Sequence, residues 1–393
     1  MNEKVVTGPV SEEDIDGFDG SEDLTGQNAA IKPWDPSKIR ITTKTFTLRE
    51  VADQIADKDI DLSPDFQRAF VWKPRERTRL IESILLGIPL PAFYFNQLKS
   101  GAYQVVDGVQ RLSTISLFMK NGHHLQRDHL EYLTDLDGLN YEQLDQVAAR
   151  RFRSTQIVVH IIEPQTPDVV KYDIFNRVNT LGSPLSAQEI RHAMSGKRSR
   201  TFLSRLAEAE EFDLATEWQY WKKLPDGTTG RDSARMANRE LALRFCAFRS
   251  CTIDEYREFH SLDAFLMMFT KRLDSDPEQP SVSDEDLNIL QTNFLNAMEA
   301  AHRILGPAAF RRWPYGADRR GPINRAVFEA QANALADYPL ADILPYREQI
   351  ERAFREAFID PDYLKSVTVG TGDANKVAYR LSRTREILSG ILK

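Results

Sequence analysis

Residues 92–119 read AFYFNQLKSGAYQVVDGVQRLSTISLFM. Ala92–Asn96 and Ala102–Val106 are aromatic and β-branched runs separated by Lys99-Ser100-Gly101, the composition of two paired strands and their turn. Asp107 and Gly108 follow at once, then apolar residues at Leu112, Ile115, Phe118 and Met119, a helical spacing that stops at Asn121-Gly122. The order is strand, tight turn, helix. Such a turn carries an acid and a glycine to the open end of a helix that begins with Gln110 and Arg111. Unsatisfied backbone N–H groups, the positive end of the helix dipole and a guanidinium then converge, which is the chemistry of a phosphate site. Arg111 would grip phosphate oxygens, Gln110 would contact phosphate or orient a water, and Asp107 would hold Mg²⁺ or a sugar hydroxyl. The other reading of the same residues makes Asp107 a helix cap and Arg111 half of a surface ion pair.

Working outward, Thr45–Ala56 reads as a short strand entering a helix. Pro74 then opens a helix whose stripe of Leu80, Ile81, Ile84 and Leu85 ends at Gly87. Thr155–Ile162 is a nearly continuous apolar run, expected to be a strand buried on both faces. Val170, Ile174, Phe175 and Val178 follow at helical spacing, and Ser186 with Glu189 forms a capping box. Beyond about residue 198 the chain shows helical stripes at 199–210, 234–250, 261–273, 283–305, 322–337, 343–357 and 374–392, with almost no strand signal. The expected fold class is α+β: an N-terminal domain over 34–197 and a mostly α-helical domain over 198–393.

With 393 residues, 41% of them apolar, the chain is long enough to bury one or two cores. No apolar run reaches the roughly 20 residues of a membrane helix. The first residues lack the basic start and apolar block of a secretory signal, so the expected location is cytoplasmic. The net charge is −7, and residues 1–30 alone carry eight acids against Lys4. The rest of the chain is therefore neutral, and residues 1–33 read as a disordered acidic tail. Cys246 and Cys251 fit neither a disulfide framework nor a zinc site and read as buried apolar thiols.

Familiar catalytic signatures are missing. No P-loop motif occurs. Gly370-Thr371-Gly372 follows the β-like Val367-Thr368-Val369, but Asn375 stands where a dinucleotide fingerprint needs its third glycine, so a capped helix start is expected there. His123, His124 and His129 lie in a polar stretch that reads as a solvated loop rather than a metal site. No histidine follows His302, which leaves the C-terminal end without a histidine-dependent nuclease module.

Two further clusters carry chemistry. In Ser63–Trp72 the pair Gln67-Arg68 lies among Phe66, Phe70 and Trp72, as in a pocket wall or, equally, an aromatic anchor with a snorkelling arginine. In Phe175–Ser186, Asn176 and Asn179 share a helical face and are placed to donate amide hydrogen bonds to a base or ribose; alternatively Asn179 only closes the helix. Basic groups occur at Lys73/Arg75/Arg77/Arg79, at Arg150/Arg151/Arg153 and at Lys197/Arg198/Arg200. A fourth, Arg311/Arg312/Arg319/Arg320, brackets Trp313 and Tyr315. They suit either a nucleic-acid groove or solvated faces.

Together, FQRAFVW at 66–72, IESILLGIPLP at 81–91, VVDGVQRLST at 105–114 and FNRVNTLGSPLSAQE at 175–189 resemble the GmrSD-type restriction family, across roughly residues 40–195. The resemblance implies a ParB/sulfiredoxin-like N-terminal domain with a small mixed sheet. It also implies a site built on an Asp-Gly-Gln-Gln-Arg motif that binds and hydrolyses a nucleoside triphosphate in phage defence. Asp107, Gly108, Gln110 and Arg111 match that motif, while Val109 replaces its first glutamine. By this resemblance Asp107, Gln110 and Arg111 are the expected catalytic residues, with Asp107 also the Mg²⁺ ligand. Gln67, Arg68, Trp72, Gly108, Asn176 and Asn179 are the expected nucleotide-binding residues. The expected partners are the nucleoside triphosphate, DNA, a separate nuclease subunit in place of the missing His-Asn-His module, and a second copy of the chain. The leading expectation is a defence protein whose nucleotide site controls DNA engagement or a nuclease partner. Its rival is a non-enzymatic DNA-binding or partner-binding regulator that keeps the fold without turnover, which Val109 favours.

Overall fold

A computed structural model describes residues 38–62, 72–178, 186–223, 228–231, 236–275 and 279–393. The expectations for the acidic tail, Gln67, Arg68 and Asn179 lie outside the described residues. The chain divides into two compact units, Pro33–Met194 and a second that contains Ser195–Lys393.

The first unit runs β1 (Ile41–Thr47), α1 (Leu48–Ala56), β2 (Ile60–Asp61), α2 (Pro74–Leu86), β3 (Phe93–Gln97), β4 (Tyr103–Asp107), α3 (Val109–Met119), α4 (Gln146–Ser154), β5 (Gln156–Ile162), α5 (Asp168–Val178) and α6 (Ala187–Met194). Local signals set several boundaries. Thr47 and Glu50 close a capping box on α1, Pro74 opens α2, and Gly87, left-handed at φ 79°, ends it. The strands form one mixed sheet in the order β1-β5-β3-β4-β2. β5 pairs antiparallel with β1 and parallel with β3; β4 pairs antiparallel with β3 and parallel with β2. Leu48, Ile81, Ile84, Phe93, Phe95, Leu112, Ile115, Phe118, Phe152 and Val159 build the core between the sheet and its helices.

β5 departs from the sequence expectation. Ile157, Val159 and Ile161 are buried, but Val158 is 40% exposed and His160 half-buried. An apolar composition does not guarantee two covered faces when one partner is the edge strand β1, most of whose residues are exposed.

Glu82 of α2 anchors the long connection after α3. Its carboxylate accepts the backbone N–H groups of Glu131 (2.9 Å), Tyr132 (2.7 Å) and Leu133 (2.8 Å). His123 in that connection is buried, with Nε2 3.0 Å from Thr78 Oγ1 of α2. The solvated-loop expectation fails for His123 because α2 supplies a polar partner inside the core.

The second unit is almost wholly helical. It comprises α7 (Lys197–Ala207), α8 (Glu210–Ala215), β6 (Trp221–Lys223), β7 (Thr229–Arg231), α9 (Ala237–Ser250), α10 (Ile253–Arg257), α11 (Leu262–Leu273), α12 (Asp284–Ala300), α13 (Arg325–Leu335), α14 (Leu340–Ile343), α15 (Arg347–Glu356), α16 (Pro361–Thr368) and α17 (Ala374–Ile391). The antiparallel β6–β7 pair is a strand element that the sequence reading missed. Val367-Thr368 belongs to α16, correcting the β-like reading, and Asp373 caps α17 through the N–H groups of Asn375 and Lys376. Cys246 is buried and Cys251 half-buried, and burial pushes both thiols up, Cys251 to about 11. No helix among the described residues is long and apolar enough to cross a membrane.

Candidate functional site

Strand β4 ends at Asp107, and Gly108 turns the chain into α3 with φ 98°. Only glycine suits this turn. A Cβ here would lie 2.2 Å from Phe93 Cδ1, and the backbone is in the region side chains avoid. Among the described residues no side chain caps α3, so the first-turn N–H groups are left to whatever reaches the helix end. Asp107 instead accepts the Gly108 N–H and receives Arg111 Nη2 at 2.7 Å.

Arg111 is held on every side. Nη1 donates to the Pro91 carbonyl, Nη2 donates to the Ala92 carbonyl at 3.2 Å, and the guanidinium lies 4.1 Å from the Phe93 ring centroid. Its side chain is 13% exposed and that of Asp107 33%. Burial pushes the Asp107 carboxyl above its ordinary value, against the pull of Arg111 and the Gly108 N–H. The pair therefore ties β3, β4 and α3 together while one carboxylate edge stays open. Phe93 and the Pro91 and Ala92 carbonyls are site groups that sequence reading missed; the IPLP run at 88–91 was the available signal.

Gln110 is half-buried, and its enclosed Oε1 accepts no hydrogen bond within the described residues. Val109 is 5% exposed and packs in the core. The departure from the Asp-Gly-Gln-Gln-Arg pattern thus falls on a side chain that faces the core.

The structure gathers Asp107, Gly108, Gln110 and Arg111 at one helix end. Asn176 is exposed on α5, an element that approaches β4. Trp72 is half-buried against the core, where its carbonyl accepts Arg77 Nε at 2.8 Å. No group of three or more His, Cys, Asp or Glu side chains suited to a metal occurs among the described residues. One carboxylate suffices for Mg²⁺ only when phosphate oxygens complete the shell. A cavity of about 630 Å³ lined by Arg303, Tyr346, Arg347 and neighbours belongs to the second unit and touches none of these residues.

The first unit is thus a mixed α/β domain that presents a glycine turn, an uncapped helix N-terminus and an Asp–Arg pair at the end of its sheet. Residues 48–195 match the family model described as "GmrSD restriction endonuclease, N-terminal domain", so this part of the chain is similar to a GmrSD-type N-terminal domain. No curated protein matches the chain.

Proposed function

We propose that the chain is a restriction-type phage-defence protein whose first unit binds a nucleoside triphosphate at the start of α3 and hydrolyses it, the state of that site controlling DNA engagement or a nuclease partner. The observation that carries this reading is the uncapped first turn of α3 beside the Asp107–Arg111 pair, in a domain of the matched family. Backbone N–H groups of the turn and the helix dipole bind phosphate oxygens, and Arg111 supplies a fixed positive charge. Gln110, whose Oε1 accepts no hydrogen bond among the described residues, orients the attacking water. Asp107 holds a Mg²⁺ ion that arrives with the nucleotide and offsets charge on the phosphates. Asn176 and Trp72, with Gln67, Arg68 and Asn179, contact the rest of the nucleotide.

Phosphate release from each of the four nucleoside triphosphates with Mg²⁺ tests this. Wild type should turn over, and Gln110→Ala, which removes no side-chain hydrogen bond among the described residues, should lower kcat about 100-fold with the fold intact. Absence of turnover in wild type, or an unchanged rate in the variant, overturns the enzymatic role.

A second reading, a regulator that binds without turnover, is favoured by one observation: the Arg111 guanidinium is already engaged by Pro91, Ala92 and Asp107. Binding without phosphate release selects it.

A further inference from the structure

In the second unit, Trp313 and Tyr315 among their arginines have separate fates. Trp313 is half-buried. Its Nε1 donates to the Ala317 carbonyl at 2.8 Å, and the Arg355 guanidinium lies 4.1 Å from its ring, so it anchors the loop. Tyr315 is 47% exposed, with the Arg352 guanidinium 4.9 Å from its ring.

A second exposed ring comes from the end of α8. Glu217 and Trp218 both have left-handed backbone, at φ 53° and 60°, a conformation costing about 1–2 kcal/mol per non-glycine residue. The cost sets Trp218 outward, 42% exposed, edge-on to Trp221 at 5.3 Å. Arg231 lies 5.1 Å from the Trp221 ring, and Lys222 and Lys223 follow on exposed β6 positions.

The two segments are tied together. Arg311 Nη2 donates to Gln219 Oε1 at 2.8 Å, and Glu217 accepts Arg320 and lies 3.6 Å from Arg311. Arg312 and Arg319 are exposed on the same stretch. Each of the two joined segments carries one outward ring, Trp218 or Tyr315, with basic side chains near it in the chain.

We propose that these joined segments form one surface that binds single-stranded nucleic acid, with bases stacking on Trp218 and Tyr315 and phosphates meeting Lys223, Arg312 and Arg319. Exposed rings alternating with cations match the alternation of base and phosphate along a strand. A duplex hides its base faces, and an acidic peptide uses the charges but leaves the rings without a partner. The inference does not depend on the nucleotide site of the first unit.

Fluorescence anisotropy of labelled dT20 with the full chain tests it. Wild type should bind dT20 more tightly than a duplex of equal length or polyglutamate. Trp218→Ala should weaken binding about tenfold with an unchanged melting temperature, and Trp218→Phe should restore most of it. The double variant Lys223→Ala/Arg319→Ala should lower the slope of log affinity against log salt by about 1.4. The proposal falls if wild type does not bind dT20, if duplex or polyglutamate binds as tightly, or if Trp218→Ala binds like wild type.

Discussion

Gly108 and Arg111 do two things at once. The glycine lets the chain leave β4 and start α3 within one residue while Phe93 packs where a side chain would stand. Arg111 then rests on that same ring and bridges to Asp107. Gly108→Ala should therefore cost roughly 1–3 kcal/mol, from the left-handed backbone together with the displaced Phe93. Chemical denaturation of the full chain checks this, and a variant as stable as wild type would contradict the packing. The sequence made the acid, glycine, glutamine and arginine of the site legible because their spacing carries the strand–turn–helix geometry. It did not reveal that Arg111 is bound internally, since its partners are backbone carbonyls of Pro91 and Ala92, and a carbonyl leaves no trace in side-chain chemistry.

At the scale of elements, periodicity identified α2, α3, α5, α7, α9, α11, α12, α13, α15 and α17, and composition the β3–β4 hairpin, because each helix buries a stripe of its own period. β2 and β6–β7 escaped because strands of two and three residues are too short to show alternation. Nor does composition say which loop folds inward. The connection after α3 does so through Glu82 and His123, two contacts with α2. Burial, then the charges of Arg77, His124 and His129, lowers the His123 pKa from 6.5 to about 4, so the folded state prefers the neutral ring. Its contribution to stability is complete above pH 6.5 and is lost as pH falls toward about 4, because the unfolded chain takes up the proton first. Thermal denaturation from pH 7 to pH 4.5 should show the stability of His123→Gln falling less steeply than that of wild type. Parallel curves would mean that His123 carries no such linkage.

At the scale of the whole molecule, the two units are built differently. The first gathers Asp107, Gly108, Gln110 and Arg111 at the end of a mixed sheet, where helix and strand termini leave backbone groups unsatisfied. The second buries charge at its centre. Arg380 bonds Glu329 and the carbonyls of Ser366 (3.1 Å) and Thr371 (2.7 Å), while Arg244 bonds Glu240 at 2.7 Å and lies 3.5 Å from Glu329. These side chains link α9, α13 and α17, so the arginines act as internal ties rather than as a surface. The same holds for Arg198, a member of a basic run, which donates to the carbonyls of Leu273 (2.7 Å) and Val282 (2.9 Å). Charge runs in this sequence therefore divide between ties and surface, and only the fold distinguishes them.

In the proposed function, nucleotide phosphates bind at the start of α3. Hydrogen exchange of the full chain with and without Mg²⁺ and a nucleoside triphosphate reads the amides of that turn directly, without altering a residue. Binding there should slow exchange at Gly108, Val109, Gln110 and Arg111. Saturating nucleotide with no change at these four amides would contradict it.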